Sequence, residues 1–535
     1  MNLQSYPFSS QRMPLIACNG IVATSHPLAA QAGLTMLQRG GNAVDAAIAA
    51  AAGLTVLEPT SNGIGSDAFA LVWDGTRLHG LNASGRAPAT QPPAADLRAQ
   101  GLRQMLTDGW LPVTVPGALA GWGDLHQRFG RLSFEELLSP AIAYAAEGYG
   151  VTPIVAHYWQ QGADRFLSQQ DPALAGWRPT FAPGGRAPQV GERWASPDHA
   201  QTLRALAKRG VRDFYEGELA EKILAFSKTT GGFLSADDLA THHSQWVEPI
   251  GAAYRDYEVW EIPPNGQGLT ALIALAILEG TGLLNHPHGS VESLHLQIEA
   301  MKLAFADANR FIADPEHVEV PAGGLLDPAY IASRRALIGA RARVPEPGEP
   351  PQGGTVYLCT ADQDGMMVSY IQSNYMGFGS GVVVPGTGIA LNNRGACFSL
   401  EPGHPNEAAG GKRPYHTIIP GFLTQGGQPV GPFGVMGGFM QPQGHVQVVT
   451  GIIDYGLNPQ AALDAPRWQV TGGLDVELEI GHPEHVLHAL AGRGHAARLS
   501  FDRGSFGRGQ IIWRLDEGVL VAGTDLRSDG VAAGW

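Results

Sequence analysis

The sequence predicts an α+β fold in which β-sheets are sandwiched by helices, and three observations carry that prediction. Helical periodicity dominates from about residue 117 to 310, strands of period two take over after residue 355, and a strand hairpin sits among helices near the N-terminus. Strands at both ends of the chain and helices between them must share one core, which layered sheets and helices satisfy. At 535 residues, 44% hydrophobic and 16% charged, the chain has the apolar content to fill a large layered domain.

The elements follow in order. "HPLAAQAGLTMLQRGGNAVDAAIAAAAGLTVLEPTS" reads as two helices split by Gly40-Gly41, with Asn42 capping the second. Its Ala-rich run is bracketed by Asp45 and Glu58 and is weakly hydrophobic, so it reads as a buried helix and not a membrane span. "AFALVWDG" and "RLHGLNAS" form a hairpin turning at Asp74-Gly75, followed by the Pro-rich loop "GRAPATQPP". "LSFEELLSPAIAYAAEG", "SPDHAQTLRALAKRG", "GELAEKILAFSKTTGG", "GLTALIALAILEGTG" and "SVESLHLQIEAMKLAFADANRF" are helical, and strand-like "YRDYEVWEIPP" interrupts them. Residues 340–354, "ARARVPEPGEPPQGG", form the best linker in the chain. "TVYLCTA" and "MMVSYIQS" then alternate around a turn at 362–365, and further strands precede the helical "HVQVVTGIIDYG".

A net charge of −14 with no long basic run argues against nucleic acid or an anionic membrane as partner. Three widely spaced cysteines make neither a disulfide framework nor a zinc site and fit a reducing compartment. The N-terminal stretch lacks a basic n-region and a secretory h-region, so a cytoplasmic location is expected. No metal or cofactor is expected. His482, His485 and His488 recur at i, i+3, i+6 and read as an exposed helix edge, and no glycine cluster has dinucleotide-binding spacing. Asp67 reads equally as a site residue or a turn cap, and Cys397 as a small pocket-lining residue.

The abrupt change at Thr355 raises a chemical possibility. A threonine at a chain's N-terminus carries its own base, because an α-amine with a reference pKa of about 7.7–8.0 lies a few ångströms from the hydroxyl. A Gly354–Thr355 bond at the end of a loose tether is a place where attack by the hydroxyl would free that amine. Most Gly-Thr pairs are simply a β-branched residue opening a strand, and these two residues do not decide between the readings.

Longer motifs do. "GIVATSHPLAAQAGLTMLQRGGNAVDAAIAAA", "VLEPTSNGIGSDAF", "VTVPGALAGW", "GKRPYHTIIP" and "GVMGGFMQPQGH" occur in the order seen in the γ-glutamyltranspeptidase superfamily, and the resemblance covers nearly the whole chain. It implies a four-layer αββα sandwich of the N-terminal-nucleophile hydrolase type. It also implies self-cleavage between Gly354 and Thr355 into a large subunit (1–354) and a small one (355–535) that stay together as a heterodimer. Thr355 falls at the catalytic threonine, Ser373 at a second hydroxyl that steadies the new amine, and Gly437-Gly438 at the oxyanion pair. Arg86 matches the arginine that grips the substrate carboxylate.

The departures bear on substrate. "NNRGACF" stands where many transpeptidases read "NNQMDDF", so Cys397 replaces the aspartate that pairs with a glutamyl ammonium and Arg394 replaces a glutamine. Tyr375 replaces a substrate-binding asparagine, and His416 and Thr417 fill two serine slots. The resemblance thus implies a pocket that keeps an anion grip and loses the ammonium grip, suited to a small carboxylate-bearing amide. The branch that hydrolyses oxamate to oxalate and ammonia, in purine breakdown, resembles it most. A γ-glutamyltransferase or glutathione hydrolase, a glutaryl-type acylase, and an uncleaved binding protein of the same fold stand as alternatives.

Overall fold

The computed structural model describes residues 12–345 and 354–535, so residues 346–353 of the expected linker lie outside the described residues. Two seven-stranded antiparallel sheets face each other. In spatial order the first is Val531–Gly534, Gly20–Thr24, Gly354–Asp362, Met367–Tyr375, Asp67–Trp73, Leu78–Ala83 and Gln245–Val247. The second is Leu15–Ala17, Leu520–Thr524, Arg508–Arg514, Gln428–Met436, Gly421–Gln425, Tyr257–Glu261 and Ile250–Tyr254.

Side-chain alternation sorts the strands between two environments. Along the strand that Thr355 opens, Val356 and Leu358 join helices on the outer face, whereas Tyr357 and Cys359 meet Phe422, Met436 and Ile512 of the opposite sheet. Helices Pro27–Gln38 and Ala43–Leu57 cover the first sheet. Helices Gly268–Glu279, Val291–Phe311 and Met440–Ile453 cover the second. The layers run α, β, β, α, as the resemblance implies.

The Ala-rich helix Ala43–Leu57 is buried along its whole length, and Asn42 and Asp45 close its first turn reciprocally as a capping box. Small side chains let its neighbour come close: a Cβ on Gly33 would lie 2.9 Å from the Ala46 carbonyl oxygen. Among the described residues no helix is long and apolar enough to cross a membrane.

Two local details depart from the expectations. "YRDYEVWEIPP" belongs to a hairpin of two strands, Ile250–Tyr254 and Tyr257–Glu261, turned by Arg255 at φ 54°. The sequence offers no glycine or asparagine there to signal a turn. The helix expected to carry three histidines begins at Glu484, so His482 precedes it, while His485 and His488 are exposed.

Candidate active site

Thr355 lies at one end of the space between the sheets. The strand Gly354–Asp362 pairs with Met367–Tyr375, and its register slips between Gly354 and Val356, which places Thr355 on a bulge. Such bulges re-aim a side chain, and here the fully buried Thr355 Oγ1 comes 3.0 Å from Ser373 Oγ. The Gln441 amide donates to Thr355 Oγ1 at 3.5 Å, while its own oxygen accepts the Ile419 N–H. Ser373 Oγ also accepts the Tyr375 N–H at 2.8 Å. Tyr375 itself sits at φ 80°, a strained backbone for a residue with a side chain, and such strain concentrates at functional sites.

The opposite sheet contributes the glycine pair. Gly437 and Gly438, at φ 139° and 62°, turn the chain from the strand Gln428–Met436 into the helix Met440–Ile453. Amides at a helix's leading end carry its positive partial charge. Gln267, which the sequence reading did not single out, ties this turn to the neighbouring loop by donating to the carbonyls of Thr417 and Gly438.

Asp67 lies directly across from Ser373 on the next strand, and both are fully buried. Asp67 accepts the Gly85 N–H and faces His416 Nε2 at 3.1 Å. The His416 Nδ1 accepts the Ile418 N–H, so Nε2 carries the proton and donates to the carboxylate. Burial raises the Asp67 pKa from 3.8 to about 7 against the pull of Arg394, and burial holds His416 well below its usual range, hence neutral. Asp67 thus ties down the loop at Gly85 and meets His416 at the same time.

The cations separate sharply. Arg394 is fully buried; its Nη1 donates to Thr417 Oγ1 at 2.7 Å and its guanidinium lies 4.5 Å from the Tyr375 ring centre. Its Nε and Nη2 have no hydrogen-bond partner, and among the described residues no carboxylate approaches it within 4.0 Å. Cys397 lies beside it, its thiol pKa raised by burial. Arg86, by contrast, is partly exposed and paired with Glu316 at 2.5 Å, an acid that also accepts from Arg413. Tyr375, Cys397, Tyr415 and Phe439 wall a cavity of about 780 Å³. The structure therefore brings Thr355, Ser373, Tyr375, Arg394, Cys397, His416, Thr417 and the glycine turn to one locus, while Arg86 is engaged by Glu316.

Comparisons with known proteins identify the family and the fold. The sequence profile described as Gamma-glutamyltranspeptidase matches residues 29–535. The chain belongs to the γ-glutamyltranspeptidase family. Its fold matches the crystal structure of cephalosporin acylase from Bacillus halodurans with a TM-score of 0.96 and 56% identity, over 100% of this chain and 99% of that one. It is 35% identical to the glutathione hydrolase-like YwrD proenzyme of Bacillus subtilis, over 97% of this chain and 99% of the relative. It is 34% identical to the oxamate amidohydrolase proenzyme of Klebsiella pneumoniae, over 97% of this chain and 99% of the relative. Like the other members of the γ-glutamyltranspeptidase family, it is a hydrolase of the N-terminal-nucleophile type.

A second buried cluster, His295, Glu299 and His495, was not anticipated because His495 lies about 200 residues from the helix that carries the other two. Lys302 Nζ already stands 2.5 Å from Glu299, and His295 and His495 hydrogen-bond each other at 2.8 Å. The ammonium supplies the cation there, and the cluster reads as structural.

Proposed function

We propose that the chain cleaves itself between Gly354 and Thr355 and then hydrolyses amides whose acyl part carries a carboxylate and no amino group. In the precursor the Thr355 hydroxyl attacks the Gly354 carbonyl carbon, the C–N bond breaks, and the hydroxyl proton passes to the departing nitrogen. Water hydrolyses the resulting ester, leaving a carboxylate on Gly354 and a free amine on Thr355. In turnover that amine takes the hydroxyl proton as Thr355 attacks the substrate, then passes it to the leaving nitrogen. Ser373, 3.0 Å from Thr355 Oγ1, orients the nucleophile. The N–H groups of Gly437 and Gly438 receive the oxyanion, a role worth roughly 100- to 1000-fold in rate per donor. Water then releases the acid.

The observation that carries the substrate reading is Arg394: a buried guanidinium with two unpartnered nitrogens beside Cys397, which stands where the family's ammonium-pairing aspartate is expected. Buried donors left without a partner are costly, and a substrate carboxylate supplies acceptors for both. A γ-glutamyl group would place its ammonium against Arg394 and the Cys397 thiol, which disfavours the glutathione reading. Oxamate, hydrolysed to oxalate and ammonia, is the small limit of the class, and N-acylated amines with a longer dicarboxylic acyl group are the large limit.

The test is Thr355→Ala. The variant is expected to run on a denaturing gel as one chain and to turn over neither oxamate nor a glutaryl amide, while the parent runs as two pieces. An uncleaved yet fully active parent defeats the proposal.

A further inference from the structure

Two cavities meet near the glycine turn, and Met376 and Phe439 border both. One is the cavity walled by Tyr375, Cys397, Tyr415 and Phe439 already described. The other, about 370 Å³, is bounded by Gly437 itself, with Phe378, Met440, Tyr158, Thr60 and Arg508 among its walls. It carries two buried polar atoms without partners, Thr60 Oγ1 and Arg508 Nε, on residues only 3% and 5% exposed. The Arg508 charge is already balanced by Glu58 at 3.0 Å, and its guanidinium is stacked 4.9 Å from the Tyr158 ring centre, so the free Nε is a fixed donor.

We propose that this second cavity is the subsite for the amine half of the substrate, and that the preferred amides are N-substituted by a polar amine bearing an oxygen acceptor. The inference rests on Thr355 being the nucleophile, because that role makes Gly437 a neighbour of the reacting carbon. Around a tetrahedral centre the nucleophile takes one direction, the oxyanion a second, and the acyl chain a third. The amine takes the fourth. With the acyl chain toward Arg394 and the oxyanion on the glycine turn, the cavity beyond Gly437 receives the amine. Ammonia, about the size of a water molecule with its share of roughly 30 Å³ in the liquid, would occupy a small part of it. An acceptor oxygen on a larger amine satisfies Arg508 Nε, and the same substituent bonds the Thr60 hydroxyl. Leaving such buried groups unmatched is costly, which turns them into a specificity device.

The experiment compares two amides of one acid on the mature two-chain enzyme: glutaramate, which releases ammonia, and N-glutaryl-4-(aminomethyl)benzoate. The second releases an amine of basicity close to ammonia, so their difference reports the subsite and not leaving-group chemistry. The matching pair of oxalyl amides is run in parallel. The N-substituted amide is expected to show at least about 10-fold higher kcat/KM. Thr60→Val, which removes the hydroxyl at nearly constant volume, and Gln161→Trp, which crowds the cavity from an exposed position on its wall, are each expected to lower that value about 10-fold. Both should leave the primary amide within about twofold, and normal chain cleavage in each variant reports intact folding. A primary amide that matches or exceeds the substituted one in the parent overturns the inference, as does an equal slowing of both amides in the correctly cleaved variants. Failure of the underlying reading looks different: no amide is turned over, or Thr355→Ala stays active.

Discussion

Thr355, Asp67 and Arg394 show how burial changes what a side chain can do. Thr355 is an ordinary hydroxyl until its own nitrogen is released beside it. Asp67 is an acid held near its protonated form by desolvation. With a folded pKa of about 7 against an ordinary 3.8, it binds its proton in the folded state over a window where the unfolded chain has lost it. Stability from this residue therefore falls as pH rises across that window and is lowest above it. Asp67→Asn is expected to gain stability relative to the parent as pH climbs from about 4 to about 7, read as the difference in urea midpoint at each pH. A constant offset across the range would refute the assignment. Arg394 and Arg86 make a second contrast, since one is free to bond a ligand and the other is occupied by Glu316. A charge-assisted hydrogen bond contributes about 1.5–3 kcal/mol. Arg394→Gln is accordingly expected to raise KM for carboxylate-bearing amides about 10- to 100-fold, and Arg86→Gln to raise it by much less. Steady-state kinetics on the two variants would reverse the ranking if Arg86 is the main grip. These residue types were all visible in the sequence. Their partners were not, because Asp67–His416 and Arg86–Glu316 join positions hundreds of residues apart.

At the scale of elements, the turn Gly437-Gly438 does what its residue type permits. Both positions lie at positive φ, and a Cβ at Gly437 would come 3.1 Å from Gly507 Cα. Gly438→Ala is expected to shift the turn and lower kcat about 100-fold while the two subunits still form, since the strand and helix it joins pack independently of that one position. An unchanged kcat would remove the turn from the oxyanion role. The hairpin Gly354–Tyr375 was legible because its alternation and its turn at 362–365 agree. The bulge at Thr355 was not legible, because a one-residue slip in register leaves no mark on composition. Gln441 and Gln267 escaped for a related reason: a buried glutamine, on a helix like Gln441 or just before one like Gln267, carries no mark until its amide is seen bonded to Thr355 or Gly438.

Across the whole molecule, the expected cleavage point falls inside a shared sheet. The strands Gly354–Asp362 and Met367–Tyr375 lie between Gly20–Thr24 and Asp67–Trp73 of the N-terminal portion, and their apolar faces feed both the sheet–sheet core and the helical layer. Separation of the pieces would expose both faces and two ladders of hydrogen bonds, so cleavage is expected to leave one particle. Size-exclusion chromatography of the mature protein should give a single peak that resolves into two chains only under denaturing conditions, and separate elution in native buffer would count against the proposed boundary. By itself the sequence determined the layered class, the strand that Thr355 opens, the capped Ala-rich helix and the kinds of side chain available for chemistry. Each of these depends on local periodicity, turn residues and composition. Only the tertiary structure decided which cation is free, how Thr355 meets Ser373, and that a second cavity borders the glycine turn. Those outcomes depend on which distant groups satisfy or neutralise one another once water is excluded, and no local pattern encodes that.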